Sequence, residues 1–354
     1  MKTPPAGMET VRQAERALRA CLERVPFVKI RNIRRHVREG NSSTDLQIEV
    51  GTATGLHRVV AEVKTSGQPR HARDAVNRIL VLRNALRNAY GVFVAPYISD
   101  ASAEICEKEH VGFVDLSGNC RLCFARVYIE QRGWPNVFHE KRDLRSLYSP
   151  KGERILRVLL AHPQRAWKVQ DMARETDVSL GQVSNIKRLL GDREWIESGP
   201  NGFRLKEPAD LLAEWASSYR FRRSRLRECY SLRKPSEMEA DLARLCAQRA
   251  WKYALTGFSA AARYAPMVRS HGVMAYVEAV DEDVAPLLGL KEVSSGANCT
   301  LIYPYDEGVF YGCREVRGVR IVSPVQTYLD LVGWRGRGPE AAEAILREVI
   351  RPQW

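Results

Sequence analysis

No apolar run in the 354-residue sequence approaches the ~20 residues a membrane-spanning helix needs. The opening MKTPPAGMETVRQAERALRA lacks the apolar stretch of a signal peptide. Both absences argue against a membrane or exported protein, and a cytoplasmic one is expected. Cysteine is sparse: eight are scattered along the chain, and Cys120-Arg-Leu-Cys123 is the one close pair. No second pair and no CxxH follows it, so a zinc site is not expected, and the cysteines read as reduced structural thiols. Internal repeats and low-complexity segments are also lacking. Acidic residues run short, with 42 Asp+Glu against 55 Lys+Arg and a formal charge of +13. That surplus favours a polyanionic partner, most often nucleic acid. A hydrophobic content of 45% and a charged content of 27% are those of a globular chain. The length suits two or three domains.

The chain divides by pattern. Up to about residue 145, helix and strand signals alternate. A helix over Thr10 to Glu23 precedes strand runs at Asp45–Val50 and Arg58–Lys64, joined by the turn-rich GTATGLH. A helix with Ala72, Ala75, Val76, Ile79, Leu80, Leu82 and Leu86 near the 3.6 period follows, with Arg73, Arg83 and Arg87 on its other side. The strand GVFVAP, a helix after Ser99-Asp100, the strand GFVDL and the strand-like CRLCFARVYI complete the block, which implies a mixed α/β sheet.

Residues 150 to 207 carry a different signal. Ile155, Leu156, Leu159 and Leu160 predict a first helix stopped by His162-Pro163, and Val169, Met172 and Ala173 a second. A tight turn at Thr176-Asp177-Val178 leads to Ser179, an N-cap, with Gln182 three residues on as a capping box. In the third helix Val183, Ile186 and Leu190 share one side, while Gly181, Ser184, Asn185 and Arg188 face outward and Lys187 flanks them. Gly199-Pro200-Asn201-Gly202 then lies between short strand-like pieces, as the wing of a winged helix-turn-helix would. Such a helix sets small and polar side chains into the major groove of duplex DNA, with cations on phosphates or guanine edges. A helical hairpin with a solvated polar face explains the helices but not the wing. From Leu211 to Lys234 a basic helical joint is expected, where Arg220, Arg222, Arg223, Arg225 and Arg227 would add phosphate contacts.

The first block holds a candidate catalytic group. Glu62 and Lys64, two apart on a strand, share a face. In a hairpin with Val50 opposite His57 or Arg58, Asp45 lands beside Glu62 or Val63, and the first register brings all three together. Asp45 and Glu62, with the Val63 carbonyl, would suit Mg²⁺ or Mn²⁺, and Lys64 would position water or stabilise charge at phosphorus. This pattern resembles the PD-(D/E)xK, restriction-endonuclease-like fold over about residues 10 to 130, with Thr44 where that motif has Pro. An ordinary surface Glu/Lys pair, or a nuclease fold kept for binding, is the alternative.

Three sets of phrases resemble a second family. They are GVFVAPYISDASAEIC with GFVDLSGNCRL, VSLGQVSNIKRLL, and ALTGFSAAARYAP with VSPVQTYLDLV and GRGPEAAEAILREVI. Over nearly the whole chain the sequence is similar to the AbiEi-like antitoxins and transcriptional regulators of type IV toxin–antitoxin systems. The resemblance implies a DNA-binding repressor paired with a cognate, nucleotidyltransferase-like toxin. The usual antitoxin has its winged helix at the N-terminus, whereas here the nuclease-like block precedes it. The last block resembles a degenerate nucleotidyltransferase-like fold, with Thr256-Gly257-Phe258-Ser259 at its Gly/Ser turn and Asp281-Glu282-Asp283 reading as a solvated loop. Ser323-Pro324 and Pro339 mark helix starts, and Gln326, Tyr328, Asp330, Trp334, Arg335 and Arg337 gather near that junction.

The expected architecture is thus an α/β multidomain chain. It comprises a restriction-endonuclease-like domain (1–147), a winged helix-turn-helix (148–208), a basic helical linker (209–235) and a C-terminal AbiEi-like α/β domain (236–354). The DNA-binding set is Ser179, Gln182, Ser184, Asn185, Lys187 and Arg188 with the five arginines. Duplex DNA is the expected partner, in a regulator that needs no cofactor for binding, with a homodimer as the default state. The enzyme alternative is a Mg²⁺-dependent endonuclease using Asp45, Glu62 and Lys64.

Overall fold

The computed structural model describes the chain except residues 1–6, 40–41, 87–88, 139–146, 220–222, 266–271 and 279–283. The chain forms two compact units, Met1–Lys141 with Gly191–Glu194, and Arg142–Leu190 with Trp195–Trp354. Among the described residues no helix is long and apolar enough to cross a membrane.

The first unit is a mixed α/β layer. Helix α1 (Met8–Leu22) buries Val11, Ala14, Leu18, Cys21 and Leu22, the three-to-four spacing of one helical face. Seven strands follow in one sheet in chain order: β1 (Lys29–Glu39), β2 (Ser42–Thr52), β3 (Gly55–Val63), β4 (Ala89–Ala95), β5 (Gly112–Asp115), β6 (Cys120–Phe124) and β7 (Val127–Gln131). The β3–β4 and β4–β5 pairings are parallel and the others antiparallel. Helices α2 (Pro69–Ala85) and α3 (Asp100–Lys108) make the parallel crossovers. Alternate residues of β2 and β3, Leu46, Ile48, Val50, Val59, Ala61 and Val63, join the core with α1. The opposite face packs Phe93 and Ala95 against Ala72, Ala75, Val76 and Ile79 of α2. A Cβ at Gly91 would meet Ile79 Cγ2 at 2.0 Å, so glycine there lets α2 lie close on the sheet.

Two expectations change here. Strand β1 was not expected, because its charged residues hide the period. CRLCFARVYI is two strands, not one, separated at Ala125 with φ 50°. Cys120 is nevertheless buried and Cys123 exposed, as opposite faces require.

The second unit opens with α4 (Pro150–Ala161), α5 (Val169–Thr176) and all but the last two residues of α6 (Leu180–Asp192), then the hairpin β8 (Ile196–Gly199) and β9 (Gly202–Leu205). Ser149 Oγ caps α4 by accepting from Gly152 N at 3.1 Å. Asp177, at φ 50°, ends α5 in the left-handed conformation that Asp tolerates. Trp167 exchanges backbone hydrogen bonds with Phe203 at 2.8 and 2.9 Å, docking the hairpin. Gly202 is needed at that approach: its φ is 124°, and a Cβ would sit 2.2 Å from Trp167 O.

Helix α7 (Pro208–Ser218) leads into a second seven-stranded sheet. It contains β10 (Arg225–Tyr230), β11 (Tyr253–Leu255), β12 (Val273–Val277), β13 (Lys291–Glu292), β14 (Cys299–Tyr303), β15 (Arg314–Val316) and β16 (Val319–Ile321), in the order β13-β10-β14-β12-β11-β16-β15. Helices α8 (Pro235–Arg249), α9 (Gly257–Tyr264), α10 (Val284–Leu287), α11 (Pro324–Val332) and α12 (Gly338–Ile345) complete it. The helical joint expected from Leu211 to Lys234 is not what forms. The helix stops at Ser218, and Arg225–Tyr230 is a strand paired with β13 and β14, with Cys229 in the core. One hydrophobic core runs through this unit, from Ile155 of α4 to Ile345 of α12.

Candidate functional site

In the first unit Val50 lies opposite His57 and Leu46 opposite Ala61, the first of the two registers weighed above. The ladder therefore carries Asp45 beside Glu62, and the strand period keeps Lys64 and Gln47 on the same face. Asp45 Oδ2 accepts the N–H of Val63 at 2.8 Å. The Lys64 N–H donates to Val94 O at 2.9 Å, continuing the ladder past the end of β3.

Glu62 is 2% exposed. Burial, and then the neighbouring Asp45 carboxylate, push its carboxyl up to about 7 against the opposing pull of Lys64 and Arg78. Arg78 Nη1 approaches Glu62 Oε2 at 3.4 Å, a long contact. The buried Lys64 ammonium donates to Asp74 Oδ2 at 2.6 Å, and Asp74 and Arg78 stand one turn apart on α2. Gln47 is buried, and among the described residues its Oε1 has no hydrogen-bond partner. Asp74, Arg78 and Gln47 were not identified from the sequence. The usable signal was the helix following the Glu62-x-Lys64 strand, where Asp74 and Arg78 are four residues apart.

Among the described residues no group of three or more His, Cys, Asp or Glu side chains is placed to hold a metal ion. Asp45 and Glu62, neighbours on this face, and the orphaned Gln47 amide oxygen two residues along from Asp45 are hard oxygen donors of the kind a divalent cation of the Mg²⁺ class takes.

In the second unit α6 is two-sided. Val183, Ile186, Leu189 and Leu190 are buried, whereas Ser184 and Arg188 are exposed. Arg188 Nη2 donates to Asn185 Oδ1 at 3.1 Å. The Lys187 ammonium lies 5.3 Å from the Phe203 ring centroid, between helix and hairpin. Ser179 Oγ accepts from Gln182 N at 3.3 Å, which is half of the expected capping box. The Gln182 side chain does not close the other half; its Nε2 lies 3.5 Å from Ser149 Oγ, at the head of α4.

The arginines of the joint are employed differently from expectation. Arg220 and Arg222 lie outside the described residues. Arg223 Nη1 donates to Glu153 Oε1 at 2.9 Å and to Tyr148 O at 3.1 Å. The Arg225 guanidinium stacks 4.2 Å from the Tyr303 ring centroid, and Arg227 Nη1 pairs with Glu292 Oε2 at 2.6 Å. These three are engaged with their own fold.

The Thr256–Ser259 turn is likewise satisfied internally. Ser259 Oγ accepts from Met274 N at 3.0 Å, and Thr256 Oγ1 donates to Asp330 Oδ2 at 2.5 Å. Asp330 is fully buried and also accepts from Tyr219 at 2.8 Å, Tyr276 at 2.9 Å and Gln326 Nε2 at 2.8 Å. Gln326 Oε1 in turn accepts from Arg157 of α4 at 2.8 and 2.9 Å. Gln326 and Asp330 are thus internal braces rather than a surface. Asp281, Glu282 and Asp283 lie outside the described residues.

Residues 204–351 match the family described as the transcriptional regulator AbiEi antitoxin of a type IV toxin–antitoxin system. The match is narrower than the expected whole-chain resemblance and excludes both the N-terminal sheet and α4–α6. No curated protein matches the chain. Among solved structures, a complex of EndoMS with double-stranded DNA is 20% identical with a TM-score of 0.22, covering 29% of this chain and 44% of that one. A repair endonuclease from Pyrococcus abyssi is 16% identical with a TM-score of 0.22, covering 32% and 49%. The chain thus spans less than half the length of these structures.

Proposed function

We propose that the protein is a duplex-DNA-binding transcriptional regulator of the type IV antitoxin kind, reading DNA through a winged helix-turn-helix at residues 148–208. The observation that carries this reading is the two-sided α6, with its apolar side sunk in the core and Ser184 and Arg188 presented outward beside a hairpin. The family match over 204–351 supports the regulatory role and implies a cognate toxin as a partner, to be sought by co-purification. Base contacts come from Ser184, Asn185 and Arg188, and phosphate contacts from Ser179, Gln182 and Lys187. Arg188→Ala is expected to weaken binding to a selected site by about 1–3 kcal/mol, roughly 5- to 150-fold, while binding to unrelated duplex changes little. Fluorescence anisotropy measures both. Equal discrimination by wild type and variant would remove α6 from the recognition role.

A second reading rests on the hairpin register that sets Asp45, Glu62 and Lys64 on one face: a metal-dependent DNA endonuclease of the PD-(D/E)xK type. Asp45, Glu62 and the Gln47 amide oxygen would hold the divalent ion, which supplies Lewis-acid polarisation of a phosphodiester. Lys64, oriented by Asp74, places positive charge beside the carboxylates. Supercoiled DNA with Mg²⁺ or Mn²⁺ is expected to be nicked by wild type and left intact by Glu62→Ala. Nicking that survives the substitution would exclude this site.

A further inference from the structure

The outermost strand of the first sheet, β1, reads KIRNIRRHVRE: five Lys/Arg, one His and one Glu in 11 residues. Its register divides them between the two faces. Ile30, Ile33, Arg35 and Val37 stand opposite Val50, Ile48, Leu46 and Thr44, on the α1 side. Lys29, Asn32, Arg34 and Arg38 stand opposite Gly51, Glu49, Gln47 and Ser43, on the face that carries Asp45 and Glu62. A bulge between Ile30 and Asn32 adds Arg31.

The two faces treat their cations differently. On the α1 side the one arginine is neutralised, with Arg35 Nε donating to Glu15 Oε2 at 2.5 Å. On the other side Arg34 has a long contact of 3.8 Å to Glu49 and remains half exposed. Lys29, Arg31 and Arg38 are exposed and have no ion pair among the described residues. Cations on an edge strand also discourage pairing with another strand. Here the free charge is gathered in a row beside the acidic pair. Arg34 and Arg38 are four residues apart, about 14 Å along the strand at ~3.4 Å per residue. A set of spaced, solvated cations on one strand face complements a polymer of regularly spaced monoanions.

We propose that the Lys29–Arg38 row of β1 is a second duplex-DNA contact, binding the phosphate backbone independently of α6. It stands apart from catalysis and from sequence recognition. Each phosphate contact contributes about 0.9 to the slope of log affinity against log salt, so two arginines contribute about 2.

The test uses the full chain and a duplex of unrelated sequence, with affinity measured across a salt series. Arg34→Ala/Arg38→Ala is expected to lower the slope by about 2, and Arg34→Lys/Arg38→Lys to restore it. Arg35→Ala, on the other face, should leave it unchanged. The Arg34→Gln/Arg38→Gln pair, with melting temperature measured alongside, separates lost charge from lost folding. The same loss must appear in an Arg188→Ala background, so failure of α6 as reader and failure of this surface are distinguishable. An unchanged slope, an equal loss in the Lys pair, binding to an acidic protein in place of duplex, or no duplex binding by wild type would each overturn the proposal.

Discussion

Glu62 in the first unit and Asp330 in the second are both almost wholly buried carboxyls, and burial pushes both upward, to about 7 and about 6. Their surroundings differ. Asp330 receives four side-chain hydrogen bonds from Thr256, Tyr219, Tyr276 and Gln326, all uncharged donors. Among the described residues Glu62 has one long contact to Arg78, a second carboxylate beside it, and an orphaned Gln47 oxygen on the same face. A perturbed carboxyl is therefore not by itself the mark of a site. Asp330 is a finished structural centre, whereas Glu62 belongs to a group whose charge and lone pairs are left unbalanced by the fold.

The contrast is sharpest on truncation. Asp330→Ala strands two phenols, a hydroxyl and an amide in the core, and is expected to cost about 3–5 kcal/mol, read by urea unfolding of the second unit. A loss below about 1 kcal/mol would erase the distinction. Glu62→Gln should act in the opposite direction in metal-free buffer. A raised folded pKa means the native state holds its proton longer, so this group's contribution to stability falls as pH rises from about 4.5 to about 7. The variant should match wild type near pH 4 and be about 1–3 kcal/mol more stable at pH 8. Smallest is the effect of added Mg²⁺ at pH 8. At ten times its dissociation constant it should stabilise wild type by about 1.4 kcal/mol, Gln47→Leu by less and Glu62→Gln by nothing resolvable, as followed by thermal melts. Equal stabilisation of all three would place the ion elsewhere.

The Asp45–Glu62–Lys64 group was legible in the sequence because strand alternation is strict and GTATGLH confines the register to two choices. Gln47 was not, since a glutamine on a strand carries no signal that its oxygen will lack a partner. Strand β1 is obscured by its own arginines, and Arg225–Tyr230 reads as helix in the sequence because it follows one. The Asp330 centre was out of reach for another reason. Its donors come from α7's end, β11's end, β12 and α11, with separations of 4 to 111 residues that no local pattern encodes.

The strand orders of the two sheets bear on how the chain is made. In the first sheet every neighbour is also the next strand in sequence, so pairing needs only residues already synthesised, and the sheet can close while translation continues. In the second, β10 must wait for β14, and Arg157 for Gln326, 169 residues downstream. On the ribosome, α4 thus emerges with Glu153 as the one partner of the Arg157 guanidinium already made, and the hydrogen bonds to Tyr305 and Gln326 that hold it in the core wait for segments about 150 residues or more downstream.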